Sequence, residues 1–372
     1  MDFSLNQEQE MFRGYVRKYL DGAGQTKVAR DWAKGNIDSF NKAMAGLSEL
    51  GCMGITISEQ YEGLGLSSLD LVPVLEEMGR ALFPGVYMET MAFAVPLLEK
   101  YGTEEQKEQY LPEIASGSKT VTLAWLEEGK SYGIENLGFQ ALREGDHYTL
   151  DGIKTMVPNG SLTDYLILLA RSEEGPSFFI VEQEQLTAVY DQQSFDQSSL
   201  LSQITCRNVT IPLNRLIGTE GRGGEMLEEG LLHINAALCS YMVGAMDHIV
   251  SMAAEYAKIR VQFGQQIGRF QAIKHRIVDM KLALETARSL SYYANWALDN
   301  NAEDRSAAIY SARAYISEAF IASSAANVQI HGGIGVTEEL DCHLFVKRAR
   351  YYESYLGTVR ENREKAALAL NW

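Results

Sequence analysis

The sequence predicts an α+β protein of several domains: an N-terminal helical domain over residues 1–118, a central, mostly antiparallel β domain over 119–215, and a C-terminal four-helix bundle over 222–372. Three observations lead there. Apolar residues recur at spacings of three and four in the first and last parts, short β-rich runs replace them in the middle, and no alternating βαβ pattern occurs.

In the first part, Met11, Phe12, Val16 and Leu20 form one apolar stripe, and Ser4 with Gln7 and Thr103 with Gln106 have the spacing of capping boxes. Tyr61 to Ser67 (YEGLGLS) and Pro84-Gly85 read as loops. In the middle, His147 to Leu150 lead into Asp151-Gly152, a hairpin-type dipeptide. Asp164 to Ala170, Ser177 to Val181 and Ile204 to Ile211 read as strands. After Gly221, Gly223 and Gly224, helices are expected over Glu225–Arg260, Gln271–Asp299, Glu303–Gln329 and Glu338–Ala349.

Composition narrows the function classes. The 372 residues carry 33 basic and 49 acidic side chains, a formal charge of -16, which repels polyanions, and no basic cluster argues for a nucleic-acid partner. Cys52, Cys206, Cys239 and Cys342 lie too far apart for a CxxC pair, which favours a reducing, cytoplasmic location. Neither a secretory signal nor a membrane span is expected.

Two segments gather groups suited to a ligand. In Arg260 to Gln271 (RVQFGQQIGRFQ) a helix ends in a glycine turn, so a guanidinium suited to phosphate stands near an aromatic ring that could stack on a heterocycle; the alternative is a capped helix end with Phe263 and Phe270 in the core. In Gln329 to Glu339 (QIHGGIGVTEE) consecutive glycines let backbone N–H groups approach a pyrophosphate; the alternative is a helix C-cap followed by a helix capped by Thr337, with His331 structural. Gly63-Leu64-Gly65 and Gly333-Ile334-Gly335 each begin a GxGxx string, but neither follows a predicted strand or reaches a third glycine, so a dinucleotide fingerprint is not read. Glu76-Glu77, Glu104-Glu105 and Glu228-Glu229 read as solvated helix faces, with no convergent pair for acid and base work.

Together, DFSLNQE at Asp2 to Glu8, GCMGITISEQYEGLG at Gly51 to Gly65, EEMGR at Glu76 to Arg80, YGTEEQKEQYLPEIASG at Tyr101 to Gly117, YAKIRVQFGQQIGRFQ at Tyr256 to Gln271, Asp279-Met280, QIHGGIG at Gln329 to Gly335 and YLGT at Tyr355 to Thr358 resemble the acyl-CoA dehydrogenase family over essentially the whole chain. The resemblance implies that family's three-part fold, FAD, and α,β-dehydrogenation of an acyl-CoA thioester, in which a carboxylate takes the α proton and the flavin the β hydride. It implies electron-transfer flavoprotein or a similar acceptor, and a homo- or hetero-tetramer built as a dimer of dimers. It places Arg260 near the FAD diphosphate, Phe263 beside the adenosine half, Gln271 near the adenine, Gln329, Gly332 and Gly333 in a loop approaching the diphosphate, and Thr358 after the catalytic loop. Most of these bundle contacts, Arg260 through Gly333, reach a neighbouring subunit's flavin in the family.

Elsewhere the chain departs from the family. Leu126 to Gly133 (LEEGKSYG) stands where TEPGAGSD is usual, and Lys154 to Gly160 (KTMVPNG) where KxWITNG is usual, so Met156 replaces a Trp and Pro158 a Thr. Leu356 occupies the usual place of the catalytic Glu; Ile234 and Asn235 occupy the alternative place. No catalytic residue is assigned, although Glu353 lies close by. Three readings result: a subunit lacking its own base that completes the flavin site of a second dehydrogenase subunit, a homomeric dehydrogenase with a relocated base, and a flavin oxidase or monooxygenase.

Overall fold

Helix α1 (Gln7–Gly22) opens on a reciprocal cap: the Asn6 side chain accepts from the Gln9 amide, and the Gln9 side chain accepts from the Asn6 amide, each at 2.9 Å. The box therefore belongs to Asn6 and Gln9, and Ser4 lies outside the described residues, which in this computed structural model are 5–129, 133–134 and 137–372. Helices α2 (Lys27–Ala33), α3 (Asp38–Glu49), α4 (Ser68–Arg80), α5 (Tyr87–Glu89), α6 (Val95–Tyr101) and α7 (Glu104–Ala115) follow, and Thr103 with Gln106 caps α7 as its spacing predicts.

The strands are β1 (Val121–Ala124), β2 (Gln140–Glu144), β3 (His147–Pro158), β4 (Tyr165–Ser172), β5 (Gly175–Glu182), β6 (Ala188–Gln193), β7 (Leu200–Pro212) and β8 (Leu216–Ile217). They form one sheet in the order β6-β7-β3-β2-β4-β5-β8, with β1 beside β4. It is antiparallel apart from β1 and the end of β2, which run parallel to β4. Asp151-Gly152 is not the expected turn. It lies inside β3 at a shift of register against β7, where a Cβ on Gly152 would collide with Phe139. The hairpin turn is Gly145-Asp146, with Gly145 at φ +65°.

The C-terminal part comprises α8 (Gly223–Ile259), a small hairpin β9 (Val261–Gln262) and β10 (Gln265–Gln266), then α9 (Gln271–Asp299), α10 (Arg305–His331), α11 (Cys342–Ser354) and α12 (Val359–Ala369). Thr337 does not cap a new helix. Its hydroxyl donates to the Ile334 carbonyl at 2.9 Å and closes the 3-10 turn Gly332–Val336; the next helix begins only at Cys342. Helix α8 is long and apolar enough to cross a membrane, but 78% of its most apolar window is buried inside the protein. Its apolarity serves a core.

The chain folds into two compact units. The first gathers Met1–Ser39, Ser68–Phe83 and Asn235–Trp372, and the second gathers Phe40–Ser67 and Pro84–Ile234. In the second, Phe139, Tyr148, Leu150, Phe179 and Ile204 are among the fully covered side chains of the sheet's core. In the first, α4 and α8 touch through their backbones: a Cβ on Gly79 would strike the Tyr241 carbonyl, and one on Gly244 would strike the Glu76 carbonyl. Side chains larger than hydrogen have no room there. Gly244→Ala should therefore lower unfolding stability by about 3 kcal/mol. Gly14→Ala, on α1 with nothing near its added methyl, should raise it by about 0.5–1 kcal/mol; urea unfolding midpoints of the two variants decide both.

Candidate functional site

The end of α8 and the end of α10 lie together. Tyr256 stacks on His331 with ring centroids 4.2 Å apart, and its hydroxyl reaches the His331 carbonyl at 3.5 Å. His331 Nδ1 lies 2.9 Å from the Asn327 carbonyl, which can only accept, so that nitrogen carries the proton. Burial lowers the imidazole's pKa, and the residue is structural, as its sequence position suggested.

Around this contact stand most of the ligand residues expected from the sequence. Arg260 is exposed, and its guanidinium has no hydrogen-bond or ion-pair partner among the described residues. Phe263 sits at φ +51° with 92% of its surface exposed, edge-on to Phe270 at 6.0 Å; it does not enter the core. A non-glycine residue in that region of φ is uncommon and marks a turn set by its surroundings. The Arg260 carbonyl accepts from Ile267 N, which closes the hairpin and delivers the chain to Gln271 at the exposed start of α9. Gln329 is exposed on the last turn of α10. A Cβ added to Gly332 or Gly333 would meet nothing, so their backbone is open to a visiting group.

Thr358 stands apart from these. Its hydroxyl donates to Glu361 at 2.8 Å and caps α12. The turn before it is held by Arg313, which is wholly buried and donates to the carbonyls of Tyr352 and Tyr355. Arg313 lies about 28 Å along α10 from Gly332 at 1.5 Å per residue, so Thr358 does not join the Arg260 cluster within one chain. Within this turn Leu356 is buried at φ +60°. Glu353 is half-exposed on α11 and paired with Arg350 at 2.8 Å. Asn235, like Ile234, is fully buried.

In the second unit the two departing segments lie side by side, with Thr155 N donating to the Leu126 carbonyl at 2.9 Å. Lys130, Ser131 and Tyr132 of the first segment lie outside the described residues. Met156 takes φ +52° at a shift of register and is 39% exposed. The Pro158 carbonyl accepts from the Thr122 hydroxyl at 2.7 Å. Beneath them Lys154 is fully buried, pairs with Glu127 at 2.8 Å and donates to the Trp125 carbonyl; Glu127 also accepts from the amides of Gly138 and Phe139.

The acidic pairs divide. Glu104-Glu105 is solvated, and Glu228 is exposed while Glu229 meets Lys100 at 3.0 Å. Glu76-Glu77 is not solvated: the two residues keep 3% and 2% of their surface. Arg17 donates twice to Glu77, at 2.8 and 2.6 Å, Arg13 reaches Glu76 at 3.4 Å, and Arg80 and Arg288 bind Asp247 at 2.9 and 3.2 Å. All four cysteines are buried and free, and burial pushes the thiols of Cys52, Cys206 and Cys239 up to about 12. Among the described residues no group of His, Cys, Asp and Glu could hold a metal.

Comparison with known proteins supplies a family. The acyl-CoA dehydrogenase N-terminal domain matches residues 6–118, and the acyl-CoA dehydrogenase C-terminal domain matches residues 221–368. A short-chain-specific acyl-CoA dehydrogenase of Clostridium acetobutylicum is 27% identical over 96% of each chain. A solved FAD-dependent dehydrogenase is 28% identical, with a TM-score of 0.88 over 100% of this chain and 99% of that one. A solved glutaryl-coenzyme A dehydrogenase, in complex with glutaryl-CoA, is 25% identical with a TM-score of 0.93 over 100% and 97%.

The buried Lys154–Glu127 pair makes a testable claim. Lys154→Met strands a carboxylate away from water and should cost about 3–5 kcal/mol, whereas Lys154→Met with Glu127→Gln should recover only part of that loss, because the amide keeps a single acceptor oxygen for the N–H groups of Gly138 and Phe139. Denaturant unfolding of the single and double variants measures it.

Proposed function

Since the chain belongs to the acyl-CoA dehydrogenase family, whose relatives depend on FAD, we propose that it is a subunit without a base of its own in a heteromeric dehydrogenase of an acyl-CoA thioester. One observation carries this reading: Leu356 fills the turn where the family's carboxylate is expected, and neither Glu353 nor the alternative positions put an acid in its place among the described residues. Glu353 is held by Arg350 one turn back on the same helix, α11, and Ile234 and Asn235 carry no carboxylate. An α C–H is a weak acid and needs a base at hydrogen-bond reach, so a chain with no such group cannot start the reaction alone.

The residues present fit the nucleotide end of FAD. Arg260 offers a free guanidinium to a diphosphate, Gly332 and Gly333 offer open backbone, Phe263 offers a ring face to the adenosine half, and Gln271 and Gln329 offer amides. The flavin end is not matched in this chain. Pro158 has no N–H, its carbonyl is already taken by Thr122, and Met156 stands in place of an aromatic ring. Bound FAD supplies the hydride acceptor; these residues bind and orient it across an interface, while the second subunit supplies the base. Electrons leave to electron-transfer flavoprotein or a similar acceptor. The assembly is a hetero-tetramer of two such pairs.

The homomeric reading with Glu353 as base requires that residue to leave Arg350. The oxidase and monooxygenase readings require a complete flavin site in one chain. The test is the visible spectrum. The chain purified alone should be colourless, and Leu356→Glu should leave it colourless and inactive. Copurified with the second dehydrogenase subunit it should be yellow and bleach with acyl-CoA, and Arg260→Ala in that complex should weaken FAD retention roughly tenfold through loss of a charge-assisted bond. Stoichiometric FAD in the lone chain, reduced by acyl-CoA, overturns the proposal; oxygen consumption by that lone flavoprotein selects the oxidase reading.

A further inference from the structure

The glycine loop after α10 hangs between two fixed points within the first unit. One is the end of α10, where Tyr256 stacks on His331 and the Gly332 amide donates to the Val328 carbonyl. From Gly332 to Leu340 only Gly335 is buried, so the loop's own side chains give it little apolar anchorage. The second point is supplied by α2. Arg30 donates through Nη1 to the Glu338 carbonyl at 3.1 Å and through Nε to Asp341 Oδ1 at 2.7 Å, with Nη2 at 2.5 Å from the same oxygen. The Thr26 hydroxyl donates to the other oxygen of Asp341.

Thr26 and Asp341 both stand at helix N-caps, of α2 and α11, and neither side chain caps its own helix. Side chains of these types ordinarily accept from the first-turn amides. Here both are turned toward each other and toward Arg30. A surface ion pair usually contributes little. This one is better placed: its side chains keep 22% and 26% of their surface, Arg30 grips the loop at two positions three residues apart, and buried Val28, Ala29 and Trp32 root α2 in the core.

We propose that Arg30 is a positioning residue for the nucleotide: by gripping Glu338 and Asp341 it holds the Gly332–Gly333 backbone in the shape that receives a diphosphate. The inference rests on the reading that these glycines approach the diphosphate of FAD. All three guanidinium nitrogens of Arg30 are engaged with loop residues, so it acts through the loop and not as a ligand contact. The physical basis is preorganisation. A loop already held in place loses little freedom when a ligand docks, whereas a slack loop must be ordered by the ligand, and affinity falls accordingly.

Amide hydrogen exchange of the full chain, with and without ADP as the diphosphate-bearing probe, tests this. In Arg30→Met the amides of residues 332–337 should exchange roughly tenfold faster than in the wild type while those of α10 do not change, and the ADP concentration that protects them should rise roughly tenfold. Lys27→Met, which cuts the Lys27–Asp31 pair on the same helix, should change neither reading, and Arg30→Lys, which keeps a cation in place, should restore part of both. Faster exchange with unchanged ADP affinity overturns the positioning role, and so do identical exchange profiles. Should Arg30→Met fail to fold, Asp341→Ser reads the same quantities, because serine can still cap α11 but leaves Arg30 without its carboxylate. Arg260→Ala separates the two claims. If it weakens ADP and Arg30→Met does not, the clamp falls and the FAD reading stands; if ADP never protects the wild-type loop, both fall.

Discussion

Contact between the backbones of α4 and α8 at Gly79 and Gly244 is the constraint from which the first unit's polar architecture follows. Helices that meet without side chains between them bring the flanking positions against the neighbouring backbone. Glu76 and Glu77 flank Gly79, and the carbonyl of Glu76 is the group that Gly244 accommodates. Their carboxylates are thereby taken out of water, and buried carboxylates must be paired or protonated. Guanidiniums arrive from α1 and α9 for that reason. Arg80, one turn on, turns to Asp247 of α8 and ties the same two helices from the side.

The second unit solves a related problem with one pair. Lys154 and Glu127 are buried beneath Met156 and Pro158, and Glu127 spends both oxygens on the Lys154 ammonium and the amides of Gly138 and Phe139. A saturated network of this kind fixes the path of segment 126–129 against β3. What lies beside it is unusual for a site meant to grip a polar ring system, because the exposed position, Met156, offers a thioether and the buried Pro158 has no N–H to offer. The Arg260 cluster is the reverse, with its donors unspent and little beneath them to hold. Exposed donors with no partner inside the chain in one place, and a scaffold short of donors in another, are the physical content of the proposed division of labour.

Much of this was legible from local pattern. Thr103 with Gln106, strands β4, β5 and β7, and helices α8, α9 and α10 depend on neighbours in sequence, and they stand close to where periodicity put them; the helix expected from Glu338 begins only at Cys342, and α12 follows where none was expected. The errors are of a different kind. Asp151-Gly152 and Gly145-Asp146 are both glycine–aspartate pairs, and only the register of β3 against β2 and β7 decides which one turns and which one bulges. Thr337 precedes two glutamates as a cap should, but the 3-10 turn behind it claims its hydroxyl. Glu76-Glu77 looked solvated because its partners are remote: Arg17 is 60 residues away, and Arg288 comes from another helix altogether. The close spacing of Gly79 to the acidic pair in EEMGR was the available signal, since a glycine inside a helix has a packing reason when it is not a cap. Arg313 carried no signal at all; its role depends on where α11 ends.

The turn at Leu356 shows how far chemistry and framework are separable here. A leucine in the left-handed region costs about 1–2 kcal/mol and gains no local bond in return. It stays there because both flanks are held: Arg313 takes the carbonyls of Tyr352 and Tyr355, and Asn362 donates to the carbonyls of Gly357 and Thr358 at 3.1 and 2.8 Å. These bonds join α11 to α12 and brace both against α10, so they are useful whatever side chain sits at 356. An acid would be strained into the same place by the same frame, which is how such a turn could present a base. With leucine there, the frame persists and its strained residue points an inert group, so the shape of the turn reports packing between helices and carries no evidence of catalysis by this chain.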